Sequence, residues 1–210
     1  MTATPTVYVA EDDPAVRDYL RELLKSVNLP VEVFESGQHF LEQYTPEATG
    51  CLVTDLRMPG LSGLELQARL MQRGANLPII FITAHGEVDS AVRALKAGAE
   101  DFLEKPIRGQ ELLDSVQNAL ASDCRKRSVR SKHRETTERL KTLNPGERSV
   151  LDLMVEGNPY KAIAIKLNLS YKTVEARRAR IMKKLGTQNL SELFQLMISY
   201  AHHSRMQPVN

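Results

Sequence analysis

The most chemically capable residues in this chain are acids, a hydroxyl and an amine that stand where apolar runs end. TVYVA leads into Glu11 and Asp12, with Asp13 beyond; CLVTD closes on Asp55; PIIFIT ends at Thr83; DFLEK ends at Lys105, before Pro106. Carboxylates gathered at one point repel and raise one another's pKa unless a cation compensates. A small hard divalent ion does this well, and Mg2+ takes one or two carboxylates together with waters and phosphate oxygens. The set suits transfer of a phosphoryl group onto a carboxylate. Asp55 attacks, Mg2+ and Lys105 neutralise the phosphoryl oxygens, and Thr83 donates a hydrogen bond. Any one of these residues also reads as a cap or a surface charge; their recurrence at successive strand ends carries the chemistry.

The elements that must hold them alternate. TVYVA (6–10), VEVF (31–34), CLVTD (51–55), PIIFIT (78–83) and DFLEK (101–105) read as strands. Helical patterns separate or follow them: PAVRDYLRELLKSV, SGQHFLEQY, GLELQARLMQ, VDSAVRALKAG and GQELLDSVQNAL. Strands apolar on both faces, each followed by a helix, predict an α/β domain with a five-stranded parallel sheet covered on both sides. Sites in such sheets form beyond the carboxyl ends of the strands, where these residues stand.

At 210 residues the chain is long enough for two domains. Its net charge of +2 conceals an asymmetry: residues 1–120 hold 10 Lys and Arg against 18 Asp and Glu, whereas residues 121–210 hold 18 against 8. An acidic module joined to a basic one points to a polyanionic partner for the second, although composition alone does not separate nucleic acid from an acidic protein or lipid surface. No apolar run is long enough to span a bilayer and no secretory signal is read, so a cytoplasmic location without membrane association is expected. Cys51 and Cys124 lack metal-ligand spacing, and Cys51 reads as a small core residue. The stretch ASDCRKRSVRSKHRETTER (121–139) has a single valine, no other large apolar residue and no Pro or Gly, and so reads as a charged helical or partly flexible linker.

The motifs EDD, DLRMPG, ITAH and DFLEKP resemble the receiver domain of bacterial two-component response regulators, in the FixJ-like branch of the NarL/FixJ family. The resemblance implies a flavodoxin/CheY-like fold and Asp55 as phosphoacceptor for a sensor histidine kinase. It implies Mg2+ held by Asp12, Asp55 and the backbone carbonyl of Arg57, with Glu11 acting through water, and a cis bond between Lys105 and Pro106. It further implies a switch in which Thr83 moves toward the phosphoryl group and Phe102 turns inward. A homodimer face around Val88, Val92, Leu95 and Lys96 would then become available on phosphorylation. Phe102 also reads simply as core.

In the basic half, KAIAIKLNLS followed by YKTVEARRARIMKKL reads as helix, short turn, helix, with Ile163, Ala164, Leu167 and Leu169 holding the pair together. At about 100° per residue, Ile181 and Leu185 fall within about 20° of Val174 on the second helix. Glu175, Ala176, Ala179, Arg180 and Lys183 then face outward, while Arg177 and Arg178 flank the buried stripe. Such a helix fits a major groove, and it also fits a merely solvated face. The segment LNPGERSVLDLMVEGNPYKAIAIKLNLSYKTVEARRARIMKKLG resembles the LuxR-type DNA-binding domain. This implies double-stranded promoter DNA as partner. Lys161, Lys172, Thr173, Arg177 and Arg180 would meet phosphates, Glu175, Ala176, Arg178 and Ala179 would lie nearest the bases, and Lys183 would add to the basic surface. RNA polymerase is a further expected partner. The expected limits are 5–121 for the receiver, 122–139 for the linker and 140–206 for the helix-turn-helix domain.

Two other readings bear on the same acids. A haloacid-dehalogenase-type phosphatase also uses an aspartate nucleophile, but carries a second acid two positions later, where this chain has Arg57. A DNA-binding regulator that has lost the phosphoryl switch would not need Asp12, Asp55, Thr83 and Lys105 together. The chain is therefore expected to be a regulator whose only catalysis is its own phosphorylation and dephosphorylation.

Overall fold

The computed structural model describes residues 4–83 and 98–206, with side chains to residue 202. By their contacts they fall into two compact units, one ending at Arg127 and the other beginning at Ser128.

The first unit is a five-stranded parallel sheet: β1 (Thr6–Ala10), β2 (Val31–Phe34), β3 (Gly50–Asp55), β4 (Ile79–Thr83) and β5 (Asp101–Glu104), in the order β2-β1-β3-β4-β5. Successive side chains in a strand point to opposite faces. Val7, Val9, Cys51, Val53, Ile80 and Ile82 thus enter one core with Leu20 and Leu24 of α1 (Pro14–Ser26). Leu52, Ile79 and Phe81 enter the other with Phe40 of α2 (Gly37–Gln43) and Leu66 and Leu70 of α3 (Gly63–Gln72). The predicted sandwich is present, and its strands differ from expectation only at their ends. Pro78 lacks an N–H, and its carbonyl accepts from Leu52 N at 2.9 Å just before β4 begins. The expected helix VDSAVRALKAG lies almost wholly outside the described residues.

The last sheet-covering helix does not stop where the core does. Helix α4 runs from Gly109 to Lys141 through the whole charged stretch, which contains nothing to break it. Leu112, Val116 and Ala119 are buried on the sheet. Beyond them Asp123 accepts from Gly50 N at 3.0 Å, and Arg127 bonds both Asp123 and the carbonyl of Ala48. Gly50 has φ +130, and a Cβ there would lie 1.8 Å from the Thr6 carbonyl oxygen, so the strand enters at a position only glycine fills.

The second unit adds α5 (Pro145–Val155), α6 (Tyr160–Lys166), α7 (Tyr171–Leu185) and α8 (Leu190–Met206). The starts of α5 and α7 each carry a side-chain cap. Asn144 and Glu147 form a capping box on α5, and Ser170 caps α7 through Thr173 N at 3.0 Å. Gly186 ends α7 with φ 70, the left-handed conformation glycine adopts without penalty. Leu140, Val150, Leu151, Ile163, Val174, Ile181, Leu185 and Leu193 form the shared core.

Candidate functional site

β1 and β3 are neighbours, so their carboxyl ends open side by side. Glu11, Asp12 and Asp55 each offer a carboxylate oxygen, all within 4.8 Å of one another. Glu11 and Asp55 are buried, while Asp12 is exposed. Lys105, from the end of the sheet, reaches between the buried acids. Its Nζ lies 2.5 Å from Asp55 Oδ2 and 3.1 Å from Glu11 Oε2. The other Asp55 oxygen accepts from Arg57 N at 2.8 Å, so the following turn fixes the acceptor's orientation. Thr83 is buried at the end of β4, and its carbonyl accepts from Lys105 N at 2.7 Å. The Lys105–Pro106 bond is cis. The structure thus gathers Glu11, Asp12, Asp55, Lys105 and the backbone of Arg57, with Thr83 tied to Lys105.

Burial pushes the Glu11 carboxyl above its ordinary range and Asp55 adds to this, against the Lys105 hydrogen bond that favours ionisation. Burial also disfavours the Lys105 ammonium. Its bonds to Asp55 and Glu11 outweigh that cost and hold its pKa above the ordinary lysine value. All donors of the acidic cluster are oxygens, and one side of it is open through the exposed Asp12. This fits a small hard divalent cation, with Lys105 supplying positive charge to the two buried acids.

Three supports were not read from the sequence, and of these only Asp13, directly before Pro14 at the first helical position, carries a signal that marks it. Arg17, one turn into α1, donates from Nη1 to the Glu11 carbonyl at 2.7 Å and to the Asp12 carbonyl at 3.2 Å, holding the acidic loop. Asp13 accepts from Ala15 N and Val16 N, so the third acid of the run caps α1. Gly63 sits where a Cβ would lie 2.4 Å from the Asp55 carbonyl oxygen, which lets α3 start directly under the acceptor turn. Phe102 is half-buried, against the core that holds Phe81. Val88, Val92, Leu95 and Lys96 lie outside the described residues.

On α7 the expected inward stripe is buried: Val174, Ile181 and Leu185, joined by Met182. Ile163 and Ala164 of α6 are buried too, with Leu167 and Leu169 packed at the edge of the same core. Lys161, Lys172, Glu175, Ala176, Ala179, Arg180 and Lys183 are exposed, and Thr173 is half-buried. A shallow concavity at the start of α7 is lined by Ser170, Lys172, Thr173, Ala176, Arg177 and Arg180, a surface that suits phosphate oxygens. Two arginines have partners inside the unit. Arg177 Nη1 donates to the Gly146 carbonyl at 3.1 Å, and the Arg178 guanidinium lies 5.7 Å from the centre of the Tyr160 ring.

An acid-and-lysine pocket on a parallel sheet, in one chain with a basic helix-turn-helix, defines a class: signalling receivers that carry their own DNA-binding module. Residues 7–117 match the response regulator receiver domain, and residues 141–197 match the luxR family of bacterial regulatory proteins. The chain is 42% identical over 198 residues to the transcriptional regulatory protein TdiR of Thauera aromatica, covering 94% of this chain and 87% of that protein. It is 41% identical to the transcriptional regulatory protein FixJ of Azorhizobium caulinodans over 91% of each chain. The solved structure of the response regulator StyR, 42% identical, superposes with a TM-score of 0.85 over 94% of this chain and 100% of that one. The chain belongs to the NarL/FixJ family of two-component response regulators, and its function is that of a transcriptional response regulator. That membership implies a kinase and DNA as its partners. Among the described residues no helix is long and apolar enough to cross a membrane.

Proposed function

We propose that Asp55 takes a phosphoryl group from a sensor histidine kinase and that this charge governs promoter binding by the second unit. The observation that carries the reading is the cluster itself: three carboxylates within 4.8 Å, with the Lys105 amine 2.5 Å from Asp55. Glu11, Asp12, Asp55 and the backbone carbonyl of Arg57 would hold Mg2+, either directly or through water. When bound, Mg2+ supplies the positive charge that offsets the phosphoryl oxygens. The Asp55 carboxylate attacks phosphorus, a P–O bond forms, and the P–N bond to the donor imidazole breaks with the electron pair leaving on nitrogen. Lys105 then turns its hydrogen bond from the carboxylate to a phosphoryl oxygen, and Thr83 donates another. Hydrolysis of the acyl phosphate resets the site, and these two steps are the chain's only catalysis.

The new dianion draws Thr83 inward, Phe102 follows, and the face around Val88, Val92, Leu95 and Lys96 becomes a homodimer surface. The receiver is assigned to 5–121, the linker to 122–139 and the DNA-binding domain to 140–206, in a cytoplasmic protein that meets RNA polymerase at its promoters. Lys161, Lys172, Thr173, Arg180 and Lys183 meet phosphates, and Glu175, Ala176 and Ala179 approach base edges. Arg177 and Arg178 reach the DNA only by leaving their partners within the unit.

The test is incubation with acetyl phosphate and Mg2+, read by intact mass. The wild type gains one phosphoryl group, and gains none when the metal is chelated. Asp55→Asn gains none in either case; uptake by that variant overturns the assignment. Sizing with and without beryllofluoride tests dimerisation, and an unchanged mass over a wide concentration range rejects it.

A further inference from the structure

Two cations near the carboxyl ends of α4 and α7 each serve the other helix. Arg139, in the last turn of α4, donates from Nη1 to the carbonyl of Leu185, the last residue of α7, at 2.7 Å. Lys184, in the last turn of α7, donates to the carbonyl of Thr142, just beyond α4, at 2.9 Å. The final carbonyls of a helix have no partner within it, and the helix dipole favours positive charge there. Each helix therefore satisfies the end of the other.

The arrangement is built for this. Glu135, one turn back on α4, accepts from Arg139 Nη2 at 2.7 Å and orients the guanidinium. Lys184 is held in turn by the buried Glu147 at 2.6 Å. At Gly186 a Cβ would lie 2.5 Å from Arg139 Nη1, so the residue that ends α7 also leaves room for the arginine. Leu140 is buried in the same core as Ile181 and Leu185. The match to the luxR family begins at residue 141, beyond Arg139.

We propose that Arg139 is a positioning residue for DNA binding, through which the linker helix fixes the aim of α7 without itself touching DNA. The inference rests on α7 being the helix that enters the groove. Lys172 lies in the first turn of that helix and Leu185 ends it, about 20 Å apart at 1.5 Å per residue. A helix anchored at its far end keeps its reading end in register, and one released there can swing.

The experiment uses the full chain and the duplex that the wild type enriches from a random-sequence pool, titrated over a range of salt. Arg139→Gln is expected to weaken binding roughly tenfold, the scale of a lost charged hydrogen bond, with the salt slope unchanged. Arg139→Lys, which keeps a donor at the same helix end, should recover most of the loss. Unchanged affinity in Arg139→Gln, equal loss in both variants, or a slope shallower by about one counterion each overturns the proposal. Lys172→Ala separates the two readings. It should make the slope shallower by about one, and an unchanged slope there removes α7 from the DNA whatever Arg139 does.

Discussion

The Asp123 carboxylate accepts a hydrogen bond from the amide of Gly50, 73 residues earlier, at a buried position. Gly50 opens the strand that ends on Asp55, so the beginning of the acceptor strand and helix α4 share one bond. Asp123→Ala leaves that amide buried without its acceptor, which costs about 1–3 kcal/mol, and it deprives Arg127 of its ion pair. Chemical denaturation should show the unfolding free energy of the receiver falling by that amount, with a lower midpoint. An unchanged midpoint would mean that water replaces the carboxylate fully.

Lys105 sits against the two acids that a cation would need. Replacing it with Met removes a competing positive charge, so Mg2+ should bind about tenfold tighter or more by calorimetry. Phosphoryl uptake from acetyl phosphate should at the same time slow by about two orders of magnitude, as for the loss of one preorganised donor. Tighter metal with unslowed uptake would take Lys105 out of the transfer step.

The basic residues of α7 should separate by salt. Lys172 is exposed at the concave start of the helix, so Lys172→Ala is expected to lower DNA affinity and make the salt dependence shallower by about one counterion. Arg178 lies over Tyr160, so Arg178→Ala should lower the melting temperature of the second unit and leave the slope alone. A slope change in the Arg178 variant would show that its side chain leaves the ring for a phosphate.

Acid should loosen the second unit only below the pH at which an ordinary glutamate protonates. The hydrogen bond from Lys184, aided by the Asn144 amide, holds Glu147 below the ordinary glutamate value. A depressed carboxylate stabilises the fold fully above the pKa it has when unfolded, and that contribution fades as pH falls through the lower folded value. The protection of amides in α5 and α7, measured against their intrinsic exchange rate at each pH, should therefore fall as pH drops below the ordinary glutamate range, and Glu147→Gln should abolish that acid dependence. A wild type whose exchange keeps its neutral-pH protection at low pH would refute the linkage.

The acidic site was legible because a polar residue that ends an apolar strand run has few structural reasons to be there. Glu11, Asp12, Asp55, Thr83 and Lys105 all announce themselves this way. The sheet was legible for the related reason that runs such as PIIFIT fit only a strand covered on both faces. What escaped were side chains whose partners are backbone groups. Arg17 bonds two carbonyls and Asp123 bonds an amide, and no residue type marks those partners in the sequence. The same holds for Arg177, whose flanking position a helical wheel supplies but whose Gly146 partner it does not. The charged stretch after residue 120 offered no apolar stripe, so its first residues could not be seen to fold with the sheet.

Asp12 and Asp13 are adjacent and chemically identical, yet Asp13 already faces the amides of Ala15 and Val16. Its negative charge is committed to steadying the first turn of α1, the turn from which Arg17 grips the loop behind it. Neutralising Asp12 would therefore speak directly about the ion, whereas neutralising Asp13 would reach the pocket only by fraying the helix that holds its rim.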